Sequence, residues 1–382
     1  MSMRIGVEGL GQMGLNYLKI LIEILKIPVG QVIVWDINPS RTEEVRQKYI
    51  GIRIASTFEM FASSADMFIV AVNTPAHHEE IAGLAARGAQ HVLCESGVHV
   101  LCEKPLAINV ISLQKIKAVV RAFPNTAIWT ALVIDCSPSR EIIAKLMRDE
   151  DLVLRIGAGR WGKNRAKDLR PTAGDRIDEL IHMIEFLLGL AKVQNISHVD
   201  VVAQVGYLRY ANAETQRQAH ERDASFPLVP DHSTQALFTA RTESGELQIC
   251  CASSFLEAAQ VRHVWGTLVH RDTDEPAYSF AVSFDEKQGG VVGDLLTLTH
   301  CRSDEKSIQW LPCNKLGSLT EGFISSSASG IATPGLASVD WAGSFVELMQ
   351  AVGDSDEARL NGEPSMRRVF FSSTAAQKRR HA

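Results

Sequence analysis

Near the start of the chain, Gly9-Leu10-Gly11-Gln12-Met13-Gly14 has the spacing GxGxxG. Between a strand and a helix, such a run lets backbone amides and the helix N-terminus approach a pyrophosphate with no side chain in the way. The hexapeptide alone suits a plain tight turn equally well. Asp36 adds weight, because it ends the next apolar run 22 residues after Gly14, where an acid binds the ribose hydroxyls of an adenosine. A carboxylate there repels a 2'-phosphate, so NAD is favoured over NADP, with Arg41 nearby as the opposing consideration. Glu8, directly before Gly9, is an odd neighbour for a phosphate. Asn73-Thr74-Pro75 follows another apolar run, at the edge where open α/β sheets bind ligands. His77 and His78 come next and read as a pair at a helix start, with His78 counted among the dinucleotide contacts. No other metal ligand has recognisable spacing with them, so no metal site is expected.

These residues need a scaffold of alternating strands and helices. Strand-like runs at 4–7, 32–35, 67–72 and 127–134 are separated by helical patterns at 12–26 and 78–87, as a doubly wound parallel sheet requires. The first domain, an α/β Rossmann domain, is placed at 1–134. Beyond it come a helix at 139–148, a strand at 152–158, a polar loop, and a helix at 175–188. Strand-like runs then follow at 201–205, 234–242, 246–254, 262–269, 278–284 and 295–300, the second and third joined by the turn Glu243-Ser244-Gly245. This pattern predicts an α+β domain with an open, mostly antiparallel sheet over 135–382. One local duplication stands out: HVLCESGV at 91–98 is repeated as HVLCEKPL at 99–106, a period far below that of a solenoid unit.

Composition narrows the class. The 382 residues carry 39 basic and 44 acidic side chains, a net charge of -5, with no basic stretch suited to nucleic acid or a membrane surface. Seven cysteines without a CxxC pair speak against a disulfide framework and a structural zinc site. No secretory signal or bilayer-length apolar run is recognisable, so a cytoplasmic location is expected.

Together, Gly9 to Gly14, Asp36, Thr74-Pro75 and Glu103-Lys104-Pro105 resemble the glucose-fructose oxidoreductase and inositol dehydrogenase family, Gfo/Idh/MocA. The resemblance extends over nearly the whole chain, with 345–352 and 367–378 similar to the closing helices. It implies that Lys104 lies beside nicotinamide and substrate, with Glu103 next to it. A later helix of the family carries Asp and His four residues apart, and Asp178 and His182 match that spacing. The first copy of the duplication has Ser96 where the lysine would lie, so Lys104 is the residue assigned. Read without the family, Lys104 is an ordinary solvated lysine, and Asp178, His182 and Glu185 are the polar stripe of an amphipathic helix.

The chemistry gives each residue type a task. Oxidising an alcohol sends a hydride to nicotinamide and a proton to a base, and an imidazole, with an ordinary pKa of about 6.5, suits the second task. Lys104 would donate to the substrate oxygen, and Asp178 would orient His182 or bind a neighbouring hydroxyl. Arg160, Trp161, Lys163, Asn164 and Arg165 are read as a polar loop, equally suited to solvent and to a sugar-like ligand; the resemblance favours Trp161 and Lys163 for substrate. The expected activity is NAD-dependent hydride transfer with a secondary alcohol of a sugar, sugar derivative or cyclitol. Alternatives are an NAD-dependent glycosidase of the same family and a non-catalytic dinucleotide-binding sensor. The resemblance also implies a homo-oligomer, a dimer or tetramer.

Overall fold

The structure, a computed structural model, describes residues 4–90, 98–165, 171–192, 195–205, 213–222, 224, 227, 230, 232–329, 333–360 and 369–370. The chain divides into two compact units, the first built from Met1–Val133 and Lys315–Gly343, the second from Ile134–Asn314 and Ser344–Ser373.

In the first unit, β1 (Ile5–Glu8), α1 (Gln12–Lys19), β2 (Val32–Trp35), α2 (Pro39–Lys48), β3 (Arg53–Ile54), α3 (Phe58–Ala62), β4 (Met67–Val70), α4 (His77–Gln90), β5 (His99–Cys102), α5 (Val110–Ala122) and β6 (Ala127–Ala131) follow one another. The strands lie in the order β6-β5-β4-β1-β2-β3, all parallel. β4 reads Met-Phe-Ile-Val without alternation and is fully buried, as a strand covered on both faces must be. Helix starts are written in side chains: Asn38 accepts from the Ser40 amide, Thr57 from that of Met60, and Asn109 from that of Ser112. The strand order reverses between β1 and β4, which makes their carboxyl ends the switch point where open sheets bind ligands.

Two glycines set the geometry there. Gly9 has φ +80°, and a Cβ on it would lie 2.7 Å from the Ala71 carbonyl oxygen. A Cβ on Gly14 would lie 1.8 Å from the carbonyl oxygen of Gly9, so α1 starts this close to the loop only because both are glycine. The helical pattern at 12–26 resolves into α1 followed by a π-helical turn, Ile20–Ile24.

The strand Leu336–Ser338 pairs antiparallel with β6, and Phe323, from the helix Lys315–Ser329, sets its ring edge-on to Trp129 at 6.0 Å. A single cut at residue 134 gives this late segment to the second domain; strand pairing and ring packing place it in the first unit instead.

The second unit contains α6 (Pro138–Asp149), β7 (Leu152–Asn164), a π-helical turn (Arg176–Leu180), α7 (Ile181–Ala191), β8 (Asn195–Val205), α8 (Ala213–Arg222), β9 (Ser233–Thr242), β10 (Gly245–Ser254), β11 (Leu256–His270), β12 (Pro276–Gln288), β13 (Val291–His300) and β14 (Lys306–Pro312). Its sheet runs β14-β13-β12-β11-β7-β10-β9-β8, closed at the end by Val369–Phe370. Only β7 and β10 are parallel. The hairpin β9-β10 turns at 243–244, where the sequence puts it. β7 is the difference that matters, because it runs through residue 164 and absorbs the expected polar loop. Trp161 pairs with Ser253 on one side and Arg262 on the other, so a central position supplies backbone partners to residues of low strand character. α7 packs on β7, and a Cβ on Gly159 would meet Met183 Sδ at 2.8 Å. The opposite face is apolar and open, with Ile156 56 %, Trp265 44 % and Ile308 60 % exposed.

The first copy of the duplication, 91–97, and most of the expected closing helix at 367–378 lie outside the described residues; Val369–Phe370 is strand. The helix Val339–Leu360 contains the other expected closing segment. Among the described residues, no helix is long and apolar enough to cross a membrane.

Gly14→Ala is expected to lower stability by about 2–3 kcal/mol in urea unfolding and to abolish dinucleotide binding, since its Cβ meets backbone rather than a side chain that can move. An unchanged unfolding midpoint contradicts this account of the loop.

Candidate active site

At the switch point, Asp36 follows β2 and is 8 % exposed. Its Oδ2 accepts from the Leu10 amide at 2.6 Å and its Oδ1 from the Asn38 amide at 2.7 Å; the Arg41 guanidinium lies 3.4 Å from Oδ2. The carboxylate thus ties the glycine loop to the end of β2. Gly11 is the N-cap of α1 with no side-chain cap, and a Cβ on it would meet, among the described residues beyond its chain neighbours, only the Arg41 side chain at 3.9 Å. An uncapped helix start beside a glycine loop with open space over it fits a pyrophosphate. Gln12 is exposed and Met13 half-buried in the first turn of α1.

Across the switch point, Asn73 is exposed, Thr74 opens a short 3-10 turn, and Pro75 is buried. His77 is buried behind them. Its Nδ1 lies 3.0 Å from the Pro105 carbonyl oxygen and its Nε2 lies 3.2 Å from that of Val72. One imidazole therefore links the Asn73-Thr74-Pro75 loop to Glu103-Lys104-Pro105. Burial pushes its pKa down to about 4. Glu103 is held from α1 by the Tyr17 hydroxyl, which donates to its Oε1 at 2.6 Å, and its Oε2 accepts from the Lys104 amide at 3.3 Å. Burial raises the Glu103 pKa, with the Tyr17 hydroxyl and the Lys104 charge acting against that rise. Lys104 is half-buried just after β5, and its peptide bond to Pro105 is cis. His78 points elsewhere, with its Nε2 3.0 Å from Lys115 Nζ.

In the second unit, Asp178 lies in the π-helical turn and His182 in the first turn of α7. Asp178 Oδ2 is gripped twice, by Arg165 Nη1 at 2.9 Å and by the Thr172 hydroxyl at 2.6 Å. Arg165, 7 % exposed, lies with its guanidinium 4.8 Å from the centre of the Phe255 ring. Gln216 on α8 holds Thr172 through both its amide hydrogen and its carbonyl oxygen, each at 2.9 Å. Trp161 is buried on β7 and stacks on His182, ring centres 4.9 Å apart at 27°. Lys163 pairs with the buried Glu179. The residues that the sequence read as loop donors are in this way built into the sheet: Trp161 is packed against His182, and Lys163 is committed to an ion pair.

Sequence reasoning did not find three of these contacts. Tyr17 sits 86 positions from Glu103, and nothing in its neighbourhood marks a partner. His77 was read as a helix-start residue without its loop partners, and Thr172 carried no motif. Among the described residues, no group of three or more His, Cys, Asp or Glu side chains is arranged to hold a metal ion.

The lowered His77 pKa sets a pH window. The group contributes stability in full above its unfolded value of about 6.5, and loses it as the pH falls toward about 4, because the unfolded chain takes up the proton first. The loss is about 3 kcal/mol. In His77→Gln, urea unfolding followed between these pH values is expected to show a correspondingly shallower fall; an unchanged slope removes the buried neutral imidazole.

Residues 3–128 match the family model described as GFO_IDH_MocA, an oxidoreductase family with an NAD-binding Rossmann fold. The trans-1,2-dihydrobenzene-1,2-diol dehydrogenase of Mus musculus is 24 % identical over 222 residues, 54 % of this chain and 62 % of the mouse protein. Myo-inositol dehydrogenase Hyg17 of Streptomyces leeuwenhoekii is 25 % identical over 212 residues, 51 % of this chain and 58 % of its own. The chain thus spans less than two thirds of the length of these curated relatives. Among solved structures, UDP-N-acetylglucosamine 3-dehydrogenase GnnA from Acidithiobacillus ferrooxidans has a TM-score of 0.69 at 16 % identity, covering 94 % of this chain and 99 % of that one. The apo scyllo-inositol dehydrogenase from Lactobacillus casei has a TM-score of 0.65 at 13 % identity, covering 97 % and 98 %. The family model covers the Rossmann fold alone, and the likeness to these solved structures extends over the second unit as well. Sequence over residues 3–128 matches the GFO_IDH_MocA model, and the fold over nearly the whole length is similar to that of these solved structures.

Proposed function

We propose that the protein catalyses the reversible oxidation of a secondary alcohol on a sugar, sugar derivative or cyclitol, with NAD as hydride carrier. The observation that carries this reading is the clamp on Glu103-Lys104-Pro105: Tyr17 from α1 holds the Glu103 carboxylate, and His77 from α4 lies between the Pro105 carbonyl and that of Val72, before Asn73-Thr74-Pro75 at the carboxyl edge of the sheet. An ordinary solvated lysine would need no such anchoring.

Gly9, Gly11, Gln12, Met13 and Gly14 would carry the pyrophosphate, Asp36 the adenosine ribose, and Asn73, Thr74, Pro75 and Glu103 the nicotinamide half. A dinucleotide bound there supplies the acceptor for the hydride that leaves the carbinol carbon. Lys104 donates a hydrogen bond to the substrate oxygen and stabilises its developing negative charge. His182 takes the hydroxyl proton, and the stack on Trp161 fixes the plane of its ring. Asp178, held by Arg165 and Thr172, serves as a fixed carboxylate rather than as a base. The role of Lys163 toward substrate is secondary to its pairing with Glu179. The Asp36 carboxylate favours NAD over NADP because a 2'-phosphate would meet a buried negative charge. The open apolar face of the second sheet supports assembly with further copies of the chain.

The test is to incubate the protein with NAD, and separately NADP, across inositols, hexoses and sugar nucleotides, following the absorbance of reduced nicotinamide. Turnover with NAD on one polyol is expected, reduced about 100-fold or more in Lys104→Ala and in His182→Ala. Full activity in both variants sinks the mechanism, while bond cleavage without net reduced cofactor replaces it with a glycosidase.

A further inference from the structure

Glu8 ends β1 directly under the glycine loop, and the proposed reaction gives it no task. It is 0 % exposed, and neither carboxyl oxygen meets a hydrogen-bond donor among the described residues. The group facing it is another carboxyl, that of Glu80 in the first turn of α4, within hydrogen-bonding reach. Two carboxylates have acceptors only, so they bond to each other only when a proton lies between them. A bare pair of charges, one of them fully buried and with no cation paired to either among the described residues, is the costliest arrangement available at this place.

We propose that Glu8 and Glu80 form a proton-binding site in which one shared proton neutralises half of the pair, and that dinucleotide binding at the adjoining glycine loop requires this proton. The proposal rests on the dinucleotide reading of Gly9 to Gly14 and not on the catalytic roles of Lys104 or His182.

The surroundings are consistent in sign. Asp36, beyond the end of β2, adds negative charge against Glu8, Glu79 adds it against Glu80 on the same helix, and Cys102 at the end of β5 feels both Glu8 and Glu103. Arg41 is paired with Asp36, and the Lys104 charge acts on Glu103. Burial and these like charges raise the titration of both Glu8 and Glu80. The sign of the linkage follows: the unfolded chain gives up these protons near the ordinary carboxyl range, whereas the folded pair keeps one to higher pH. Stability and anion binding are therefore both complete at low pH and fall as the pH rises through the titration of the pair. Ionising it puts a second negative charge beneath the pyrophosphate amides, which is expected to weaken binding roughly tenfold at the effective dielectric of a partly buried site.

The test combines a spectroscopic and a binding readout on the full chain. Infrared difference spectra at neutral pH of the wild type against Glu8→Gln, and against Glu80→Gln in case the first does not fold, should show the C=O stretch of one protonated carboxyl that both variants lack. Calorimetric titration with NAD from about pH 6 to about pH 9 should show affinity falling roughly tenfold for the wild type and staying level in the variants. Absence of the band overturns the shared proton; if a chelator then lowers the melting temperature, a cation occupies the pair instead. Presence of the band with NAD affinity independent of pH overturns the link to the loop. No NAD or NADP binding at any pH, with the band present, removes the dinucleotide reading itself and with it the second half of the proposal.

Discussion

The approach of α1 to the carbonyl of Gly9 governs the first unit. Because position 14 carries no Cβ, the helix starts against the loop, and its first turn carries no side-chain cap. The same placement brings Tyr17, one turn further on, within reach of Glu103. The helix that starts at the glycine loop thus also holds the lysine loop through Glu103. Asp36 completes the arrangement by accepting from the Leu10 amide, so that the glycine loop, the acid after β2 and the lysine loop form one bonded assembly. A shift in the start of α1 would be felt at all three.

Around this assembly the fold tolerates unusual burial of ionisable groups. His77 is kept neutral by desolvation, so its single N–H donates to one of the two carbonyls it lies between, those of Pro105 and Val72, while Glu103 is half-buried next to a cation. In the second unit the answer is pairing: Arg165 with Asp178, Lys163 with Glu179, Asp175 with the Ser253 hydroxyl. Removing Arg165 or Lys163 leaves a carboxylate of low exposure without the cation that faces it. These pairs hold charged side chains in single orientations. The stack of Trp161 on His182 does the same for the imidazole, and extends to Arg262 at 5.4 Å from the indole.

Several features were legible because they are local. The glycine spacing, the acid after β2, the unbroken apolar run of β4 and the turn at 243–245 depend on neighbours within a few residues, and each strand or hairpin appears where they put it. The Gfo/Idh/MocA resemblance and the two sheet types were readable for the same reason. β7 was misjudged at its end, since Arg160 to Asn164 look like loop residues until β10 and β11 supply partners on both sides. The helix Lys315–Ser329 and strand Leu336–Ser338 were assigned to the wrong half of the chain because their partners, Trp129 and Ala131, lie about 200 residues away.

The sequence by itself determined the alternating strand and helix pattern at the start of the chain, the glycine spacing with the acid after β2, and the resemblance to a family, all of which follow from periodicity and short spacing. Only the tertiary structure decided which charges face which. That Asp178 is held by Arg165 and Thr172, that Trp161 lies on His182, that His77 joins two loops and that Glu8 meets Glu80 are consequences of packing elements distant in sequence. The physical reason is that secondary structure is set by local backbone bonding, whereas the ionisation and orientation of a side chain are set by whatever the fold brings within a few ångströms and by how much water it excludes.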